Sequence, residues 1–462
     1  MNDAAGSPLH PTGTIVAQAT AAGRGALAIV RLSGPDAHRI ARAAAEPFPA
    51  APRTAVVCRI RDASGAALDE AVVVRYDAPG SFTGEDAVEI TTHGGLVVPT
   101  TVVATLIARG ARLAEPGEFT RRAVLNGKLD ILQAEATGDL IESSSRAAQR
   151  TALRQLDGGL SRRVLALRDA AIRLEALIAY DIDFPEEDDG PVPAARILGA
   201  ADELIRDLEM LEGTARAGEL VRDGALVVLA GAPNVGKSSL FNALVGQNRA
   251  IVTDIPGTTR DAIEAVIDTP TLPIRLVDTA GLRETQDPVE RLGVEVSTSY
   301  LNRASVVLVC GDDAASLGQG MAATEGRTMA PRIEVRTKAD LAVGGQAKNS
   351  AWGGDHAAIR VSAETGEGLD ELVSAIVSAA SGGLNAFEVD APLLTRERHR
   401  YAVGRALAEV RAFRERWGAG DLPAPVAGVH LREATAALED LIGAIDVEDV
   451  LDELFRRFCV GK

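Results

Sequence analysis

The 462-residue chain is poor in several things, and each shortage excludes a class of protein. It has three cysteines, Cys58, Cys310 and Cys459, an odd and scattered set that gives no disulfide framework and fits a reducing compartment. Aromatic residues are 3% of the total, too few for a platform on which bases could stack. No apolar run approaches the ~18 residues of a membrane span. The opening MNDAAGSPLHPTG lacks a basic segment followed by an apolar core, so no secretory leader is expected. The chain therefore reads as cytoplasmic, with no membrane partner. Basic residues are also in deficit: 48 Lys and Arg against 65 Asp and Glu leave a net charge of −17. No global field attracts nucleic acid, and any RNA contact must use a local patch or a partner's surface.

What is present is ordinary globular material, 46% hydrophobic and 24% charged, at a length that implies roughly three domains. Residues 1–128 mix short β-rich runs with helical stretches. ALAIVRL (26–32), AVVVRY (71–76) and AVEITT (87–92) read as strands bounded by Gly, Ser and Asp. LVVPTTVVATLIARG reads as a helix with Pro99 in its first turn and Gly110 at its close. Over residues 129–221 the strand signals vanish: ILQAEATGDLIESSSRAAQRTALRQL and RRVLALRDAAIRLEALIAY carry apolar residues at helical spacing. DFPEEDDGPVP interrupts this texture, and it resumes in AARILGAADELIRDLEML. Residues 222–380 alternate strands and helices, with a Gly-rich loop at 344–354, and residues 381–462 are helical again. The expected fold class is multidomain α/β plus α. An N-terminal α+β domain precedes a helical domain into which a P-loop α/β domain is inserted.

The inserted block holds the strongest motif. LVVLAGAPNVGKSSLFNAL is a strand, a Gly-rich turn and a helix, with G-x-x-x-x-G-K-S from Gly231 to Ser238. Successive backbone N–H groups must wrap a phosphate there, and the helix N-terminus adds positive potential. Asn234, Val235, Gly236, Lys237, Ser238 and Ser239 are the expected phosphate contacts, with Lys237 reaching the β- and γ-phosphates and Ser238 ligating Mg²⁺. The alternative for Gly231 and Gly236, a plain tight turn, is the minor one in this strand–turn–helix context. Asp278, Thr279, Ala280 and Gly281 follow a strand, where a carboxylate near the metal and a γ-phosphate sensor belong. Thr337, Lys338 and Asp340, then Ser362 and Ala363, follow in the order of base-recognition elements. The Asp340 carboxylate can accept from N1–H and the 2-amino group of guanine, a pair that adenine does not present. Four elements in order predict GTP as the nucleotide. Thr337 departs from the pattern, because GTPases usually carry Asn there; its shorter hydroxyl puts one base-side hydrogen bond in question, with weaker affinity as the expectation, and leaves the Asp340 discrimination in place.

GAPNVGKSSL with AIVTDIPGTTRD (250–261) and DTAGLRETQDPVERLG resembles the translation-factor-related GTPases that are activated by K⁺. GRGALAIVRLSG, SFTGEDAVEITTHGG, PGEFTRRAVLNGKLDILQAEA, DFPEED and the terminal FCVGK narrow the resemblance to the MnmE/TrmE family of tRNA-modification GTPases, over essentially the whole chain. The resemblance implies a homodimer that forms a heterotetramer with an MnmG/GidA-type flavoprotein, which brings FAD and NADH. The expected activity is installation of an aminomethyl-type group, such as carboxymethylaminomethyl, on C5 of the wobble uridine at tRNA position 34. A reduced folate, 5-formyl- or 5,10-methylene-tetrahydrofolate, supplies the one-carbon unit. It further implies a K⁺ site at Asn234, Thr253, Ile255 and Thr258, Mg²⁺ at Ser238 and Thr259, and Glu290 as the acid that orients water. A folate site is implied at Arg31, Glu89, Lys128 and Lys462, with Cys459 in a chemical role.

Read without the family, Glu290 is a solvated carboxylate after Pro288, and Arg31 and Glu89, each on a predicted strand, read as members of structural ion pairs. Arg121, Arg122 and Lys128 make a basic cluster that either touches tRNA or is a solvated face. PFPAAPRTAVVCRIRDASG carries no motif, and Cys58 and Cys310 read as small buried residues. The competing function is a switch GTPase of the ribosome-assembly type, which hydrolyses GTP and does no further chemistry. The central block fits both; the N-terminal motifs and the FCVGK ending favour the modification enzyme.

Overall fold

A computed structural model describes residues 13–183, 192–247, 263–278, 299–341, 358–382, 391–420, 424–443 and 461. Two compact units emerge, Met1–Gly138 with Leu438–Lys462, and Asp139–Ala437. Among the described residues, no helix is long and apolar enough to cross a membrane.

The first unit is built on a seven-stranded sheet of order β3-β4-β5-β6-β2-β1-β7. Its strands are β1 (Ile15–Gln18), β2 (Leu27–Ser33), β3 (Ala45–Glu46), β4 (Val56–Arg61), β5 (Ala67–Tyr76), β6 (Ala87–His93) and β7 (Arg112–Leu113). Alternation sets the faces: Val30 and Leu32 of β2, with Val88 and Ile90 of β6, point into a core shared with Ile40 of α1 (Ala37–Arg42). Val102 and Leu106 of α2 (Val98–Ala108) complete that core. Pro99 lies in the first turn of α2, where its missing N–H costs no helical bond. The expected strands and this helix are present within one to four residues at each end. β4 lies in the segment without a motif, and it buries Cys58 and Ile60 while exposing Val57 and Arg59. α3 (Glu118–Leu125) follows β7.

The helical run is α4 (Ile131–Glu142), α5 (Arg146–Leu156), α6 (Gly159–Asp183), α7 (Ala194–Glu212) and α8 (Ala215–Asp223). The sequence reads as one helix through 131–156, but Ser145 ends that continuity. Its side chain accepts from the N–H of Ala148 and caps α5, which outcompetes continuation through three serines. α12 (Glu397–Ala419) and α13 (Ala424–Ile442) follow the inserted sheet. α7 buries Ile197, Ala201, Leu204, Leu208 and Leu211 at spacings of three and four against Val403, Leu407 and Val410 of α12. Ion pairs Arg411–Glu209 and Arg414–Asp202 place the two helices antiparallel.

The inserted domain is a six-stranded sheet of order β13-β12-β11-β8-β10-β9. It comprises β8 (Ala225–Ala230), β9 (Ile263–Ile267), β10 (Ile274–Asp278), β11 (Val306–Gly311), β12 (Arg332–Arg336) and β13 (Ile359–Arg360). All neighbours are parallel except β9 on β10. ALVVLA and VVLVCG are continuous apolar runs because both faces of a central parallel strand are covered. α9 (Lys237–Gln247) and α11 (Leu369–Ser381) pack on one side of the sheet, and α10 (Ala314–Thr324) on the other.

Candidate functional site

The turn between β8 and α9 lies at the carboxyl ends of β8 and β11, the position where doubly wound sheets bind ligands. Gly231 has φ 142°, and a Cβ there would come within 2.3 Å of the Cys310 carbonyl oxygen at the end of β11. Gly236 (φ 98°) and Asn234 (φ 63°) also lie in the left-handed region, so the loop curls back and turns its N–H groups inward. Lys237 is 7% exposed, and its Nζ donates to the Gly231 and Ala232 carbonyls at 3.1 and 2.7 Å. An ammonium folded onto its own loop in this way is poised to move onto phosphate oxygens.

Ser238 Oγ donates to Asp278 Oδ2 at 2.7 Å, and Asp278 is itself buried at the end of β10. A hydroxyl and a carboxylate at this distance suit a hard divalent cation, which takes oxygen ligands directly or through water. Cys310, buried near the end of β11 against the loop, has its thiol pushed up to about 12 by burial, with the Lys237 charge opposing and the Asp278 charge adding to it; it is an inert filler.

On the base side, Thr337 is buried, and its Oγ1 donates to the Val235 carbonyl, with the Gly311 carbonyl at 3.3 Å. The hydroxyl that stands in for the usual amide thus ties this segment to the phosphate loop, and its single proton is spent there. Lys338 (φ 55°) reaches back to the Asn234 carbonyl at 3.0 Å and to Asp312 Oδ2 at 2.8 Å. The hydrogen bond from Lys338 holds the Asp312 carboxyl below its ordinary range. Ser362 Oγ donates to Asp340 Oδ1 at 2.7 Å, orienting the carboxylate, and Ala363 follows in the same loop. Asp312 was not singled out from sequence. Its signal was the acidic pair Asp312-Asp313 after a buried strand. Thr253, Ile255, Thr258, Thr259, Thr279, Ala280, Gly281 and Glu290 lie outside the described residues, as do Cys459 and Lys462.

In the first unit Arg31 Nε and Nη2 donate to Glu89 Oε1 at 3.0 and 2.8 Å across the β2–β6 register. The Arg31 guanidinium also lies 5.6 Å from the Phe82 ring and 5.8 Å from that of Phe119, and Tyr76 donates to Glu89 Oε2 at 3.3 Å. Lys128 Nζ donates to the Pro79 carbonyl at 3.1 Å, which ties the end of the α3 segment to the loop that carries Phe82. Tyr76 and Phe82 were missed from sequence, because contact across strands is not readable from spacing. Arg122 corrects an expectation. It is 3% exposed and pairs with Glu118 and Glu85, so it is neither a solvated residue nor a tRNA contact.

A sheet parallel but for its β9 edge, a G-x-x-x-x-G-K-S turn at its strand ends, a hydrogen-bonded Ser238–Asp278 pair and an Asp340 carboxylate oriented by Ser362 form the arrangement of a P-loop GTPase. Residues 131–459 match the family model for the MnmE helical domain, and residues 14–128 match that for the GTP-binding protein TrmE N-terminus. The chain is 44% identical over 456 residues to the tRNA modification GTPase MnmE of Azoarcus sp., covering 98% of this chain and 99% of that one. It is 41% identical over 458 residues to that of Akkermansia muciniphila, with the same coverage. Among solved structures, the G domain of the T. maritima FeoB iron transporter is 28% identical, covering 34% of this chain and 98% of that chain, with a TM-score of 0.27. The chain belongs to the MnmE family of tRNA modification GTPases.

Proposed function

We propose that this GTPase couples a K⁺-dependent hydrolysis cycle to modification of C5 of the wobble uridine in certain tRNAs. It works as a homodimer in a heterotetramer with an MnmG/GidA-type flavoprotein that carries FAD and uses NADH. The family membership supports the tRNA chemistry. The observation that carries the nucleotide half is that Lys237 and the Ser238–Asp278 pair gather at one loop, to which Thr337 and Lys338, next to Asp340, are also hydrogen-bonded. In this reading the 234–239 loop binds the phosphates, Lys237 exchanges its two carbonyl partners for phosphate oxygens, and Asp340 with Ser362 and Ala363 reads guanine. Ser238 and Thr259 hold Mg²⁺, and Asn234, Thr253, Ile255 and Thr258 supply oxygens for K⁺; bound cations spread charge off the transferring phosphoryl group. Glu290 orients the attacking water, and Thr279 to Gly281 follow the γ-phosphate. The domain limits 128/129, 221/222 and 380/381 belong to the same reading.

A reduced folate is assigned to Arg31, Glu89, Lys128 and Lys462. The Arg31 guanidinium between two aromatic rings, with carboxylate and phenol beside it, suits a flat heteroaromatic ring that presents donors and acceptors. Cys459 acts on the transferred one-carbon unit or the uridine. The test has two arms. GTP turnover in K⁺ should exceed that in Na⁺ at equal ionic strength, and Asn234→Ala should abolish the difference. Nucleoside mass spectrometry of tRNA from cells carrying only Cys459→Ser should show loss of the modified wobble uridine, with GTP hydrolysis near normal. Equal rates in both salts would sink the cation assignment, and modified tRNA at normal levels would sink that of Cys459.

A further inference from the structure

The chain crosses into the inserted sheet directly after Arg222, at the end of α8, and is back in the helical scaffold at Arg396, the residue that precedes α12. Both arginines meet on one oxygen. Arg396 Nη2 donates to Asp139 Oδ1 at 2.6 Å and Arg222 Nε donates to the same atom at 3.3 Å, and the Asp139 side chain is 11% exposed. Asp139 belongs to neither crossing; it projects from α4.

Neighbouring contacts hold the same junction. Gln155 Nε2 donates to the Leu393 carbonyl at 3.0 Å, and the Leu394 N–H donates to Thr214 Oγ1 at 3.1 Å. A Cβ on Gly218 would come within 2.1 Å of the Leu394 carbonyl oxygen, so α8 and the returning segment are in direct backbone contact. A further link joins α5 to the turn after β9. The Arg146 N–H donates to Asp268 Oδ1 at 3.0 Å and Arg150 Nη2 to the Pro270 carbonyl at 2.9 Å. That turn leads into β10, whose last residue is the Asp278 that binds Ser238. Beside Asp139, a cleft of about 580 Å³ opens between scaffold and sheet, lined in part by Arg222, Gln155, Arg275 and Thr395.

We propose that Asp139 is a positioning residue that fixes the orientation of the GTPase domain on the helical scaffold, so that turnover in one is felt by the other. A rotation of the sheet moves the two crossings differently, and one carboxylate oxygen cannot follow both arginines. The clamp therefore has a closed arrangement, with both bonds made, and an open one, as a two-state coupling element requires. Its role rests on the family's activity, GTP hydrolysis in the service of tRNA modification.

The test compares full-length Asp139→Asn, Arg396→Gln and the double variant with the unaltered protein. GTP hydrolysis is expected within about twofold of normal, while modified nucleoside formed per GTP hydrolysed falls at least about tenfold. Amide exchange in segments 219–226 and 391–397 should quicken, and the double variant should be no worse than Asp139→Asn alone, because that substitution already weakens the Arg396 bond together with that of Arg222. Unchanged coupling in a folded variant, equal loss of hydrolysis and modification, or multiplying losses in the double variant would overturn the proposal. If Asp139→Asn does not fold, Arg396→Gln breaks the Arg396–Asp139 bond while leaving that of Arg222, and decides alone. If the unaltered protein itself leaves tRNA unmodified, the proposed chemistry fails, and amide exchange still decides for Asp139.

Discussion

Glu118 shows how much a single side chain can do for the fold. It is 3% exposed, and its carboxylate accepts from Arg112, from Arg122 and from the Glu115 N–H. Burial alone would push its pKa up; the hydrogen bonds from Arg112, Glu115 and Arg122, with the Arg122 charge, outweigh it and hold the group below its ordinary value of 4.5. A carboxyl depressed in the folded state stabilises the fold fully above that ordinary value, and the stabilisation is lost as pH falls through the folded one. Glu118→Gln should therefore lose about 3 kcal/mol at neutral pH, since it strips a buried arginine of a charged partner. The difference from the unaltered protein should shrink as pH drops below 4.5. Denaturant titration across that range checks it, and a gap independent of pH would refute the charge-network account. Sequence placed Arg122 in a basic surface cluster because neighbouring like charges usually face water. It could not show that Glu85, 37 positions upstream, folds over to meet it. Thr337 was legible as a departure from the usual Asn. That its hydroxyl proton goes to Val235 depends on two loops meeting in space.

At the scale of elements, Gly231 links strand packing to the phosphate loop. A methyl group there would face the Cys310 carbonyl at 2.3 Å, in a backbone conformation (φ 142°) that side chains disfavour. Gly231→Ala should push the loop away from the end of β11 and weaken GTP binding at least about tenfold, a loss of roughly 1.4 kcal/mol. Fluorescent-nucleotide titration measures it; an unchanged dissociation constant would show that the close approach is not needed. The motif itself was readable, because its glycines, lysine and serine are local and fixed in spacing. The central strands were readable as apolar runs, and α2 by its proline and glycine ends. β1, β3 and β7 were not, since two to four residues carry no periodicity, and the β1–β7 pairing joins residues far apart in sequence, as with Ile15 opposite Arg112. The break at Ser145 was hidden in a helical pattern, because capping competes with continuation through geometry that spacing does not show.

At the scale of the whole molecule, one described residue near the end of the chain lies against the first sheet. Gly461 is buried, and it belongs to the same compact unit as β1. A Cβ on it would come within 2.2 Å of the Gln18 carbonyl oxygen and 3.0 Å of Ala19 Cα, and its φ is 103°. Both the space and the backbone conformation demand glycine there, which gives the third letter of the Cys-Val-Gly-Lys ending a physical reason. The sheet it touches is the one that carries Arg31 and Glu89, while the GTPase sheet belongs to the other unit. Gly461→Ala should accordingly separate the two activities. GTP hydrolysis is expected within about twofold of normal, because the substitution touches nothing in the 222–380 block. Modified wobble uridine in tRNA from cells carrying only this variant should fall at least about tenfold, since a methyl at that distance must move the segment off β1. The measurement is nucleoside mass spectrometry beside a phosphate-release assay on the purified variant. Normal modification would mean that the seat on β1 is dispensable. A parallel fall in hydrolysis would mean that the end of the chain supports the whole fold and not the modification step.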